Sequence, residues 1–364
     1  MKRRKMLCLF TAGILTAGML TGCSGQSGQE RTAKETVATT AATESEAPLQ
    51  GDGNAKYVMK IATAGTDGDC LTFAYKKMKE TIEGETHGEV GVEIFDSSQL
   101  GSQADYIAGL RMNSIQAADI ASSVLSSVDA SYMIFDLPYL INDIEVEQSM
   151  LADPSVGGYL ASSLKDRAGI LVGGYIVRSP RNVYSSKGPI HTPGDFKNLK
   201  IRTMDSAPMI EAMNILGATA TPIAANERYL ALQTGVVDAA ENSVMEIFIK
   251  KEYEVTGYLS KTEHLMQPNV VCLSPSFIQS LPEEYQSIVL NAVTEGCAAG
   301  TENDLGGADE IEKKLQEAGM IINEVEDKAA FSTLMAPVYE TYREDVGADF
   351  LKTVEDYVSN HSTQ

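Results

Sequence analysis

The sequence predicts an α/β fold, on three observations. From Tyr57 onward, short β-prone runs alternate with helical stretches of ten or more residues. The helical stretches place apolar side chains on one face at a 3.6-residue period. Glycines stand where several of those stretches end, as left-handed helix termini require. Strands that alternate with helices of this length are the pattern of parallel βαβ units. A length of 364 residues is enough for two domains, each with its own core.

The elements follow in order. Tyr57-Val-Met-Lys-Ile61 reads as a strand, and Leu71, Ala74, Met78 and Ile82 then fall on one helical face. Val90 to Phe95 is a strand, Ser102 to Met112 suits a helix, and Asp119-Ile-Ala121 resumes the sheet. Gly169 to Val177 is strongly apolar and β-prone. Ser206 to Leu216 reads as a helix closed by Gly217, and Asn226 is placed to cap the next one, which runs to Thr234 before Gly235. Val236-Val237 would start another strand. Leu281-Pro282-Glu283 opens a long amphipathic helix reaching Ala318, with Gly319 behind it. No internal repeat is visible.

The first residues are of a different kind. Lys2, Arg3, Arg4 and Lys5 precede a mostly apolar stretch from Met6 to Leu20, too short for a membrane span and right for the apolar segment of a signal peptide. Leu20-Thr21-Gly22-Cys23 resembles the bacterial lipobox, which implies cleavage before Cys23 and a lipid on its thiol. The alternative is an ordinary signal peptide with an incidental Cys. Ser24 to Asn54 is low-complexity and nearly devoid of large apolar residues, the composition of a flexible linker. The chain would thus be exported and tethered outside the cell. Cys70, Cys272 and Cys297 remain, an odd number at spacings that match no zinc or redox motif, so buried free thiols are expected rather than a bridge.

Charge and motifs narrow the function. The net charge is −21, and no dense basic run follows residue 5, which excludes nucleic acid as the main partner. The four histidines, His87, His191, His264 and His361, lie at no metal-ligand spacing, and His264 reads as a packing or hydrogen-bonding residue rather than a base. No G-x-S-x-G, Walker or G-x-G-x-x-G motif is present. Nothing argues for catalysis, a metal or a cofactor. Arginines in strand or loop contexts stand out instead. Arg202 closes the short β run of Lys200-Ile-Arg202-Thr, where its planar fork can be aimed from a strand end into a crevice, a geometry suited to a carboxylate. Arg178 lies near an expected crossover, where it would pair with the acidic surface.

Three segments, Arg181 to Ile190, Asp195 to Thr203 and Thr221 to Asn242, resemble in order and spacing the solute-binding proteins of tripartite ATP-independent periplasmic (TRAP) transporters, the DctP-type family. Ser98-Gln99-Leu100-Gly101, Asp136-Leu137-Pro138-Tyr139, Leu230 to Asp238 and Leu281-Pro-Glu-Glu284 extend the resemblance over nearly all of the chain beyond the linker. The resemblance implies a two-lobed α/β fold of the periplasmic-binding-protein kind, with a ligand cleft between the lobes and a long helix spanning both. Its expected divisions are a leader at 1–22, a lipidated linker at 23–55, a first lobe at 56–178 plus about 269–307, and a second lobe at 179–268 plus about 308–364.

The function implied is that of a monomeric extracytoplasmic receptor, lipid-anchored through Cys23, that binds a small organic acid and delivers it to the permease subunits in the membrane. Arg202 would pair with the ligand carboxylate. Arg181 would support ligand or cleft, Asn242 would add a polar contact, Glu227 and Tyr229 would line or brace the pocket, and Ser122 and Ser123 would offer hydroxyls from the first lobe. Each has a structural alternative: a salt bridge for Arg181, a helix cap for Asn242, a brace for Glu227 and Tyr229. The chain departs from the family pattern at Asp238-Ala-Ala-Glu-Asn-Ser243, where Asp-Gly-Gln-Glu-Asn-Pro is common, and near Ala225, where a larger residue is common. A receptor of an ABC transporter is the nearer rival, and an enzyme on a related two-lobed fold the more distant one. The missing nucleophile–base and metal constellations favour a receptor.

Overall fold

A computed structural model describes residues 55–362; the leader, Cys23 and almost all of the linker lie outside them. The strands form two sheets. The first has the order β2-β1-β3-β10-β4, from Val90–Phe95, Tyr57–Ala62, Ala117–Ala121, Asn269–Leu273 and Leu171–Ile176. The second is β11-β9-β5-β8-β6-β7, from Ile321–Glu324, Tyr258–Leu265, Arg181–Ser185, Ala239–Asn242, Lys200–Thr203 and Thr219–Pro222. Each sheet anchors one lobe.

The sheets are parallel only in part. β1 runs parallel to β2 and β3, and β6 parallel to β7 and β8, as βαβ units require. β10 is antiparallel to both β3 and β4, and β5 antiparallel to both β8 and β9. β10 and β5 are the strands that enter from the other lobe, so their direction is set by the crossover rather than by a local helix. The chain leaves the first sheet after Ile176 and returns to it at Asn269.

Most helices start and stop where the sequence places them. Helix Cys70–Glu85 buries Leu71, Ala74, Met78 and Ile82, and the Asp69 carboxylate caps it by accepting from the Leu71 amide at 3.0 Å. Helix Gln103–Arg111 opens on a reciprocal Ser102–Asp105 capping box. Gly217 and Gly319 follow their helices with φ of 89° and 97°. Val236-Val237 differs from expectation: strand β8 begins only at Ala239, because the turn through Gly235 (φ 70°) leaves Val236 in solvent and hydrogen bonding with β6 begins only when the Asp238 amide donates to the Lys200 carbonyl at 2.7 Å.

The long helix, Glu283–Glu317, spans both lobes. Val289, Val293 and Cys297 pack into the first core, while Ile311 and Leu315 pack into the second. Gly296 and Gly300 let it lie directly on helix Cys70–Glu85. A Cβ at Gly296 would stand 2.4 Å from Met78 Cγ and 3.0 Å from the Ala74 carbonyl oxygen. Cys70, Cys272 and Cys297 are buried free thiols. Among the described residues no helix is long and apolar enough to cross a membrane.

Two expectations are corrected. The C-terminal helices, Ala336–Val346 and Ala348–His361, pack on the first lobe rather than the second. Val338, Phe350, Leu351 and Val354 share a core with Tyr132, Phe135, Met150 and Leu160, and the rings of Tyr159 and Phe350 stack at 4.1 Å. These side chains cover apolar surface that helices Ile144–Ala152 and Tyr159–Ala168 would otherwise expose. Arg178, expected at the surface, is buried at the crossover, where its Nε donates to Asp304 Oδ2 on the long helix at 2.6 Å.

Glu147 on helix Ile144–Ala152 is fully buried, and neither of its carboxylate oxygens meets a partner. Burial pushes its carboxyl up to about 8. The unfolded chain releases this proton near pH ~4.3, while the folded chain holds it to about pH 8, so stability falls as pH rises through that window. Glu147→Gln should therefore be near neutral at acid pH and stabilising by pH 8. Thermal unfolding of both proteins at each pH checks this: a melting-temperature gain that does not grow with pH would exclude the carboxyl as its source.

Candidate functional site

Strand β6 places Arg202 between Ile201, which packs into the second-lobe core, and Thr203. The arginine is almost completely buried, not waiting in open solvent. Its Nε donates to the Ile223 carbonyl at 2.7 Å, but Nη1 is buried with no hydrogen-bond partner, and among the described residues no carboxylate lies within salt-bridge distance. Burial, and then the nearby cations Arg228 and Arg181, push the guanidinium down to about 10, against the opposing pull of the Glu241 carboxylate. Arg202 lines a cavity of about 300 Å³, together with Val124 and Gln103 from the first lobe and Met204, Pro222 and Ile223 from the second. A buried cation with no carboxylate at ion-pair distance among the described residues is a candidate partner for an anion.

The other arginine of the pattern is committed. Arg181 on β5 donates through Nε and Nη2 to the two carboxylate oxygens of Glu241 on β8, and Nη2 also reaches the Glu241 carbonyl at 2.9 Å. Burial raises the Glu241 carboxyl, but the charge and hydrogen bonds of Arg181, with lesser help from His264 and Arg202, hold the group below its ordinary value. His264, 3.8 Å from Glu241, is pushed down to about 4 by burial and is neutral near pH 7. Arg181 therefore acts through Glu241 and does not face the cavity.

The remaining residues separate. Asn242 is buried on β8, with its Oδ1 accepting from the Ser243 amide at 2.9 Å. Glu227 is exposed at the end of a short helical turn and makes no side-chain cap. Tyr229 lines a second chamber of about 200 Å³. Ser123 is spent on Asp136, which also accepts from Ser206 Oγ and Gln267 Nε2, each at 2.6 Å, and so fastens the first lobe to the second lobe's helix Ala207–Ile215 at its start. The Ser122 hydroxyl is buried without a partner.

The first-lobe hydroxyls that do line the cavity are Ser98, Ser102 and Ser127, which the sequence reading did not assign. Ser98 lies in the quoted Ser98-Gln99-Leu100-Gly101 segment, so a signal was present. Ser97 and Ser98 hold φ of 54° and 59°, a left-handed backbone unusual outside glycine. Their amides donate to the Gly65 and Thr63 carbonyls at 2.8 and 3.0 Å, which fixes the loop where Ser98 lines the cavity. Asn226, expected as a helix cap, caps neither its own turn nor the helix Arg228–Gln233, and lines both chambers.

The two arginines should respond oppositely to truncation. Arg181→Ala strands Glu241 as a buried, unpaired charge and should cost ~3–5 kcal/mol of stability. Arg202→Met removes an uncompensated buried cation and should leave stability unchanged or higher. Urea unfolding of both variants decides: a large loss in Arg202→Met would mean that its guanidinium is paired in the folded protein.

Comparison with known proteins places the chain in a family. Residues 61–345 match the model of DctP, described as bacterial extracellular solute-binding protein, family 7. The chain is 30% identical over 299 residues to the 2,3-diketo-L-gulonate-binding periplasmic protein YiaO of Escherichia coli, covering 81% of this chain and 89% of that one. A TRAP periplasmic solute-binding protein from Roseobacter denitrificans with bound β-D-glucuronate superposes with a TM-score of 0.78 at 27% identity, covering 83% of this chain and 98% of that one. Another, from Sulfurospirillum deleyianum with bound succinate, gives 0.79 at 25%, covering 83% and 99%. The chain belongs to family 7 of the bacterial extracellular solute-binding proteins, the DctP family.

Proposed function

We propose that this protein is the extracytoplasmic receptor of a TRAP transporter, which captures a small organic acid by its carboxylate and hands it to the permease subunits in the membrane. One observation carries the reading: Arg202 is a buried guanidinium with an unpartnered Nη1 at the wall of a cavity between the lobes. A ligand carboxylate would supply the missing charge and acceptor in a place where water competes weakly. Glucuronate and succinate, the molecules bound in the two solved relatives, both carry that group.

In this reading Arg181 and Glu241 hold the wall behind Arg202, Asn242 braces the same strand, and Tyr229 serves the second chamber. Glu227, exposed beside it, stays outside the ligand's reach. The wall is built from both lobes, so binding would draw them together and exclude water from the ion pair. Cys23 would carry the lipid that keeps the receptor near its permease. Cys23→Ser should then release the protein from the membrane fraction into the soluble fraction, and a variant that stays membrane-bound would remove the anchor from this account.

The decisive test is titration calorimetry with organic acids. Arg202→Ala should lose ~2–5 kcal/mol of binding free energy, roughly 30- to 5,000-fold in Kd. Arg202→Lys keeps the charge without the two-toothed fork and should also weaken binding. A folded Arg202→Ala protein that binds within threefold of the wild type would show that the carboxylate is held elsewhere.

A further inference from the structure

The cleft does not end at Arg202. The second chamber shares Ala64, Ser98, Ala225 and Asn226 with the first, and the two alanine methyls at that junction are too small to close it. We propose that this second chamber is a hydroxyl-binding subsite, so that the protein selects a polyhydroxy monocarboxylate over a dicarboxylate. The inference rests on the reading of Arg202 as carboxylate anchor and specifies what binds at the ligand's other end.

The charges of the chamber carry it. Its wall bears two carboxylates, Glu246 and Glu252, and one ammonium, Lys250. The carboxylates are fixed in place. Arg228 donates to Glu252 at 2.7 Å and to Glu246 at 3.4 Å, and Arg178 approaches Glu246 from the far side at 3.5 Å. Burial would raise the Glu246 carboxyl, but Lys250, Arg178 and Arg228 bring it down to about 2, so it stays ionised. Both guanidiniums are occupied by these and other acids, Asp304 among them, and neither is free for a ligand.

Lys250 is the one cation that faces the chamber among the described residues. Its ammonium donates to the Ala64 carbonyl at 2.8 Å and stands in the field of Glu246 and Asp69. A second ligand carboxylate placed here would meet two fixed anions and one cation already shared between acids, a like-charge approach that disfavours binding. A hydroxyl suffers no such penalty. It can donate to a carboxylate and accept from an ammonium or an amide, and Asn226 and Tyr229 add partners of both kinds. Arg202 at one end and this wall at the other describe a chain with one carboxylate and several hydroxyls.

Asn226 is the residue to test, because it lines both chambers and its side chain caps no helix. Titration calorimetry on the full chain would compare D-glucuronate and D-galactonate with succinate and L-malate, in the wild type, Asn226→Ala and Arg202→Ala. The expected result is that a polyhydroxy acid binds at least about tenfold tighter than either diacid, and that Asn226→Ala weakens it about tenfold at an unchanged melting temperature. Succinate or malate binding as tightly as both polyhydroxy acids would overturn the inference, and so would an Asn226→Ala protein with undiminished affinity. In either case, loss of binding in Arg202→Ala would leave the carboxylate reading standing. If no acid binds in a way that depends on Arg202, that reading falls first and the inference falls with it.

Discussion

The two lobes are held in register by one buried guanidinium. Arg178 lies on the outgoing crossover between β4 and β5, and its Nε donates to Asp304 on the long helix. The other oxygen of Asp304 accepts from the amide and hydroxyl of Ser179 at 2.7 and 2.6 Å, while Thr301, one turn earlier, accepts from the Val177 amide at 3.0 Å. The fork of Arg178 also reaches Asn269, where the chain re-enters the first sheet, at 3.3 Å, and Glu246 of the second lobe at 3.5 Å. Asp69, the cap of the first helix, stands 4.0 Å away. Both crossovers, the spanning helix and one helix from each lobe thus meet at a single charge. Removing either member of such a buried pair typically costs ~3–5 kcal/mol, because the partner left behind has neither water nor counterion.

That junction links the two lobes on one side of the cleft. Arg178 ties the chain at one depth, and the Asp136–Ser206–Gln267 cluster ties it again where Ser206 begins its helix. Burial pushes the Asp136 carboxyl up to about 6, its three side-chain donors offsetting part of the cost. The cavity is walled by residues of both lobes.

Among the described residues, four buried arginines set the electrostatics of the interior. Arg178 is matched to Asp304, Arg181 to Glu241, and Arg228 to Glu252. Arg202 has only a backbone carbonyl. The same side chain is thus paired with a carboxylate in three places, and in the fourth it lines a cavity with one guanidinium nitrogen unpartnered among the described residues.

Local patterning determined much of this protein. The helical period of Leu71, Ala74, Met78 and Ile82, the capping residues Asp69 and Ser102, and the glycines at 217 and 319 set elements within a residue or two of where they stand, since each signal acts over a single turn. The strand-end position of Arg202 was legible for the same reason. Tertiary structure decided what contacts between distant segments decide. Whether Arg181 meets Glu241 or a ligand depends on the pairing of β5 with β8, 60 residues apart in sequence, and the direction of β5 and β10 depends on crossovers that no local period encodes. The C-terminal helices could have covered either lobe; the apolar surface left open beside Tyr159 fixed the choice. Ser98, Ser102 and Asn226 are common polar residues one by one, and only the tertiary structure brings them to the same cavity as Arg202.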